Sequence, residues 1–139
     1  MNKILCVLFL LALPVATSSQ GPNTGISPCM EKATTQGEIN ACATEDLKRA
    51  DTELNQLYQQ ILKKYATDQV FIQKLRLAEE AWVKFREAHV AALDSELDPS
   101  SMGSVYPMCK AMEITRLTNE RVEDLKRILN HPEGDVCAF

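Results

Sequence analysis

The chain predicts an all-α fold: a three-helix, up-down-up antiparallel bundle stapled by disulfides. Three observations carry that expectation. Apolar residues recur at three- and four-residue steps through three long segments. No stretch of four or more residues alternates convincingly as a strand would. Four cysteines are spread across a polar, helix-rich remainder that follows an apolar N-terminal run.

The elements follow in chain order. Met1-Asn2-Lys3 leads into Ile4 to Ala16, nearly all apolar, which closes in Ala16-Thr17-Ser18-Ser19. One positive charge, an apolar core of roughly 13 residues and a small-residue exit describe a secretory signal peptide over residues 1–19, cleaved within 16–20. A bilayer span needs about 20 apolar residues, so the run is too short. A buried N-terminal helix is disfavoured because no amphipathic pattern interrupts it. Cys6 precedes most of the apolar core and reads as part of it rather than as a lipid anchor. Cleavage discards Cys6 and leaves Cys29, Cys42, Cys109 and Cys137, an even set that suits disulfides in an oxidising compartment. The mature protein is therefore expected to be periplasmic or secreted, with no membrane anchor.

Of 15 basic and 19 acidic residues, cleavage removes Lys3 alone, leaving 14 against 19 and a net charge of −5. That balance argues against nucleic acid, which needs clustered Lys and Arg, and against an anionic membrane surface. It favours encounter with a basic partner. About 120 residues make one domain with one core.

Residues 20–34 form a flexible leader, turn-rich through Gln20-Gly21-Pro22-Asn23-Thr24-Gly25-Ile26-Ser27-Pro28. The helical domain occupies 35–130. Thr35-Gln36-Gly37-Glu38 is a capping box. From it Ile39, Ala43, Leu47, Ala50, Leu54, Leu57, Ile61 and Tyr65 form one apolar stripe, so the first long helix runs to about residue 66. Thr67 or Asp68 caps the second, whose stripe is Phe71, Leu75, Ala78, Trp82, Phe85, His89 and Ala92. It stops before Pro99. A loop follows, and Pro107 opens a third helix carrying Ile114, Leu117, Leu125 and Ile128. That helix frays near Asn130, and residues 131–139 form a C-terminal tail holding Cys137.

Counting 1.5 Å per residue places Asp51 about 22 Å up the bundle, Arg86 about 18 Å and Arg121 about 20 Å. One acid and two arginines from three helices thus share a level. Asn55 and Tyr58 lie above Asp51 on the same side, and Trp82, one turn above Arg86, is placed to cover the group. The favoured reading is a structural Arg–carboxylate clamp that fixes helix register, over a catalytic or ligand site. No nucleophile and base stand together near it.

Thr35-Gln36-Gly37-Glu38-Ile39-Asn40-Ala41-Cys42, Ala50-Asp51-Thr52-Glu53-Leu54-Asn55-Gln56-Leu57-Tyr58, Ala81-Trp82-Val83-Lys84-Phe85-Arg86-Glu87-Ala88 and Leu117-Thr118-Asn119-Glu120-Arg121, with Leu125, follow one another in order. In order and spacing the chain resembles the LprI family of small exported bacterial proteins, named after a mycobacterial lipoprotein described as a lysozyme inhibitor. The resemblance covers residues 29 to about 129. It implies an exported, disulfide-containing helical domain, with lysozyme inhibition suggested for at least one relative. Relatives often carry cysteines where this chain has His89 and Glu113, and the joint absence is what losing one disulfide would leave. A His89–Glu113 contact is expected in the vacated place, as a satisfied pair rather than a metal site, since two ligands fall short of zinc's needs. There is no lipobox, so lipid anchoring does not carry over.

Four cysteines permit three pairings. Cys29–Cys42 with Cys109–Cys137 has sequence proximity on its side. A continuous third helix, however, spans roughly 31 Å, which a seven-step return of about 24 Å barely closes. Geometry therefore leans toward the crossed pattern, Cys42–Cys109 with Cys29–Cys137, while connectivity itself stays open.

The functional expectation is an exported envelope binding protein, an inhibitor of lysozyme-type muramidases meeting a cationic lysozyme. The alternative is a general envelope stress or interaction protein without lysozyme activity. The candidate contact is the 98–106 loop, where Asp98, Ser100, Ser101 and Ser104 offer short polar groups and Tyr106 an aromatic anchor. An enzyme is not expected. Glu79 and Glu80 are adjacent and diverge on a helix, which reads as a solvated face. No glycine-rich phosphate loop, zinc spacing or serine elbow is present, and no cofactor is implied.

Overall fold

The structure, a computed structural model, describes residues 27–94 and 103–131. The expected signal peptide, the first part of the leader, Asp98, Ser100, Ser101 and Cys137 lie outside the described residues. Four helices follow in order: α1 (Pro28–Lys32), α2 (Gln36–Lys64), α3 (Gln69–Asp94) and α4 (Tyr106–Leu129), with a 3-10 turn at Gly103–Val105 before α4.

Each helix begins where its local chemistry permits. The Ser27 hydroxyl accepts from the Met30 amide at 3.4 Å and Pro28 sits in the first turn, so the end of the expected leader folds into one short helix. The capping box at Thr35 forms. Its hydroxyl accepts from the Glu38 amide at 3.2 Å, and Glu38 accepts from the amides of Thr34 and Thr35 at 2.8 and 2.9 Å. Asp68 caps α3 through the Phe71 amide at 2.9 Å. Gly103 has φ +60°, a left-handed turn that glycine takes without steric cost, and it feeds the chain into the 3-10 turn and Pro107.

Among the described residues all regular structure is helical, and the core is built on α2 and α4. Leu54, Leu57 and Ile61 meet Val122 and Leu125, with Leu75 of α3 joining them. Ile61 and Leu125 are fully buried, and each such side chain stabilises the fold by about 2 kcal/mol relative to exposure. Asn40 Nδ2 donates to the Ser104 carbonyl at 2.9 Å, and Lys64 Nζ donates to the Leu129 carbonyl at 2.6 Å. Those two bonds tie like ends together, so α2 and α4 run the same way. Residues 79, 86, 89 and 94 of α3 meet 121, 118, 113 and 110 of α4, so α3 runs against them.

The packing is uneven. α2 and α4 lie close along their lengths, whereas α3 stands farther off and reaches across with long side chains. Its buried residues are Ile72, Leu75 and Val90. The expected stripe through Ala78 and Phe85 is corrected, since Phe85 is 54% exposed. Two apolar stripes wind around α3, and Val70, Leu77 and Phe85 belong to the one facing solvent. Periodicity detects both; the register of Trp82 and Arg86 against α2 and α4 selects the other.

The disulfide joins Cys29 to Cys42, with Cα atoms 5.6 Å apart. The expected pairing Cys42–Cys109 is therefore overturned, and Cys109 is a free, exposed thiol. Two positions separate it from buried Ala111, about 200° around α4, so it lies off the α2–α4 seam, beside Met108 and Met112. Cys42 is 6% exposed and sits one turn and a half inside α2, where α1 folds back to meet it.

Candidate functional site

Arg86 reaches from α3 to both neighbouring helices. Its Nη1 donates to Asp51 Oδ1 at 2.9 Å and to Thr118 Oγ1 at 2.9 Å, while the Trp82 ring lies 4.8 Å from the guanidinium. Thr118 is fully buried, yet its hydroxyl donates to the Ile114 carbonyl at 2.8 Å, so no buried polar atom is left unmet there. This places Asp51, Arg86 and Trp82 together.

Arg121 does not join them. Its Nε donates to Glu79 at 2.9 Å, with a second contact from Nη2 to the same oxygen, and Asp124 lies farther off at 3.6 Å. Glu79 and Arg121 are each 13% exposed at the side chain, against 43% for Asp51. The solvated reading of Glu79 is thus corrected, although Glu80 does face water. Adjacent residues point about 100° apart on a helix, so one of the pair can turn inward. Glu79 lies seven residues from Arg86, two turns away on the same face, and that spacing was the available signal. Asn55 is exposed and donates only to the Asp51 carbonyl at 2.8 Å. Tyr58 packs against the apolar core instead of the ion pair.

Toward the other end, His89 Nε2 lies 3.0 Å from Glu113 Oε1, in the contact expected for that pair. Arg116 also binds Glu113 and, with a smaller contribution from His89, holds its carboxyl below the usual carboxylate range. Lys110 Nζ donates to Asp94 at 2.8 Å and to the Tyr106 hydroxyl at 3.3 Å. Lys110 thereby lowers the Asp94 carboxyl, and Asp94 raises the Lys110 ammonium. Within the expected partner loop, Ser104 and Tyr106 are described, and both fasten the start of α4.

These groups form a ladder of cross-helix ion pairs, each carboxylate beside a cation. That arrangement ties the helices at matched heights, and among the described residues it sets no nucleophile against a base. Among the described residues no cluster of three His, Cys, Asp or Glu could hold a metal ion, and no helix is long and apolar enough to cross a membrane. The opposite flank of α4 is different. There α1, α2 and α4 bound an open groove of about 1040 Å³, floored by Met30, Ala43, Met108 and Met112. Nothing in the helical periodicity singles out this groove, because it depends on where the Cys29–Cys42 bond places α1.

The family model described as lysozyme inhibitor LprI matches residues 29–125. An uncharacterized protein of Rhizobium meliloti (strain 1021) is similar, 27% identical over 136 residues that cover 90% of this chain and 93% of that protein. No solved structure matches the chain. The matched span opens at the disulfide cysteine of α1, takes in both ion-pair clusters and closes at the core residue Leu125, and on it this chain belongs to the LprI family.

Proposed function

We propose that the protein is an exported envelope binding protein that inhibits lysozyme-type muramidases. The match to the lysozyme inhibitor family over residues 29–125 is the observation that carries this reading. The physical character of the chain supports it. An acidic body is steered toward a strongly cationic enzyme. Capped starts on α1, α2 and α3 and the Cys29–Cys42 bond hold a surface that needs little ordering on contact. The chain acts by binding and not by catalysis, and the 98–106 loop, entering α4 through Ser104 and Tyr106, is one candidate contact.

The test is a titration of the oxidised, processed protein against c-, g- and i-type lysozymes, reading muramidase activity and binding at low and high salt. Inhibition of at least one type, weakened by salt, is the expected result. Failure to inhibit any of them at micromolar protein would overturn the reading, and capture of an unrelated envelope partner would put a general interaction role in its place.

A further inference from the structure

We propose that the groove between α1, α2 and α4 is the surface that receives the muramidase, through a basic segment flanked by apolar side chains; this rests on the inhibitor reading above. The floor supplies adaptable hydrocarbon. Met108 and Met112 stand one turn apart on α4, and Met30 comes from α1, where the Cys29–Cys42 bond anchors it. All three are half-buried. Methionine is unbranched and polarisable, so such a floor moulds itself to an incoming apolar side chain.

The rim supplies charge. Asp46 and Glu53 line it from α2, and Glu113, Glu120 and Glu123 from α4. Against these five carboxylates stand two guanidinium groups, Arg49 and Arg116. Arg49 binds Asp46, while Arg116 binds Glu113 and Glu120. At the far end Lys126 bridges Glu53 and Glu123 at 2.9 and 2.8 Å. With Lys126 counted, three cations face the five carboxylates and each carboxylate has a cationic partner, so the rim keeps a net charge of −2. What remains is a negative field over an apolar floor, and its complement is a cationic segment carrying hydrophobic side chains. From Met108 to Glu123 the groove extends about 22 Å, room for about four helical turns. Apart from Glu113, which also meets His89, the ion-pair ladder to α3 lies on the other flank of α4, so among the described residues this side is open. The exposed apolar stripe of α3 has hydrocarbon without a comparable field.

Two double variants of the oxidised protein test this against a lysozyme that the wild type binds. Glu120→Lys/Glu123→Lys reverses the rim at exposed positions. Glu80→Lys/Glu87→Lys makes the same change in net charge on the exposed side of α3. Circular dichroism and a thermal melt confirm that both fold. The groove variant should lose about tenfold or more in affinity, mostly in association rate, and the α3 variant less than about threefold. Met112→Gln, which keeps size and removes the apolar floor, should speed dissociation. Equal losses in both double variants would mean general charge steering and would overturn the groove. So would wild-type binding by the groove variant, or a self-association that it abolishes, which would make a second copy the occupant. A wild type that binds no lysozyme removes the inhibitor reading itself, a different failure from unaltered binding by the variants.

Discussion

Glu79 of α3 and Arg121 of α4 shield one another from water, each with 13% of its side chain exposed, while Asp51, the acid that pairs with Arg86, is 43% exposed. The two bridges therefore differ in worth. Glu79→Ala leaves a nearly buried guanidinium with only the looser Asp124, and should cost about 3 kcal/mol. Asp51→Ala leaves Arg86 its bond to Thr118 and its contact with Trp82, so the loss should be about 1 kcal/mol or less. Urea unfolding of both variants gives the comparison; equal losses would contradict the burial argument.

The disulfide closes a short loop, its cysteines 13 positions apart in sequence, and should contribute roughly 3 kcal/mol by restricting the unfolded chain. Non-reducing peptide mapping should return a Cys29–Cys42 peptide, and a thiol reagent applied to the native protein should label Cys109. A Cys42–Cys109 peptide would refute the arrangement.

Acid should destabilise the fold through three carboxylates. The Thr34 amide, with further bonds from Thr34 and Thr35, lowers Glu38; Arg116 lowers Glu113; Lys110 lowers Asp94. A carboxyl lowered in the folded state contributes stability that is complete above its unfolded pKa and lost as pH falls through the folded one. The melting temperature should therefore hold at neutral pH and decline below the ordinary carboxylate range. Glu38→Gln should make that decline shallower. Lys110 and Lys126 act in the opposite sense: their stability persists through neutral pH and disappears as strong alkali titrates the raised ammonium groups.

Core and surface apolar residues should separate cleanly in the same assay. Ile61→Ala removes a fully buried side chain and should cost about 2 to 5 kcal/mol. Phe85→Ala, at an exposed position of α3, should change stability by about 0.5 kcal/mol or less. A large loss at Phe85 would mean that the apolar stripe on the solvent side of α3 is packed in the native protein.

Much of this architecture was legible in the sequence because helix periodicity and capping are local. The Thr35 box, the Asp68 cap, Pro107 at the start of α4 and the stripe from Ala43 to Ile61 all fold as read. Arg86 met Asp51 because rise per residue is uniform enough to compare heights between helices. Arg121 escaped, because axial height ignores rotation about the axis, and rotation brings Glu79 to it first. The choice between two apolar stripes on α3 and the position of α1 are tertiary facts. No period within one segment encodes them. The Cys29–Cys42 bond was among the possible pairings, but it required knowing that Ser27 and Pro28 start a helix that turns back on α2.

Between Leu75 and Val90, α3 buries no residue, and what fastens that stretch is Glu79, Arg86 and His89 with Trp82 laid over one guanidinium. Hydrocarbon pins the rod near its two ends; its waist hangs on these polar contacts and on Trp82, which also packs against the apolar core. Dissolved ions compete with the half-exposed Asp51–Arg86 and His89–Glu113 contacts and reach the shielded Glu79–Arg121 pair far less, so added salt loosens the Arg86–His89 half of this midsection first.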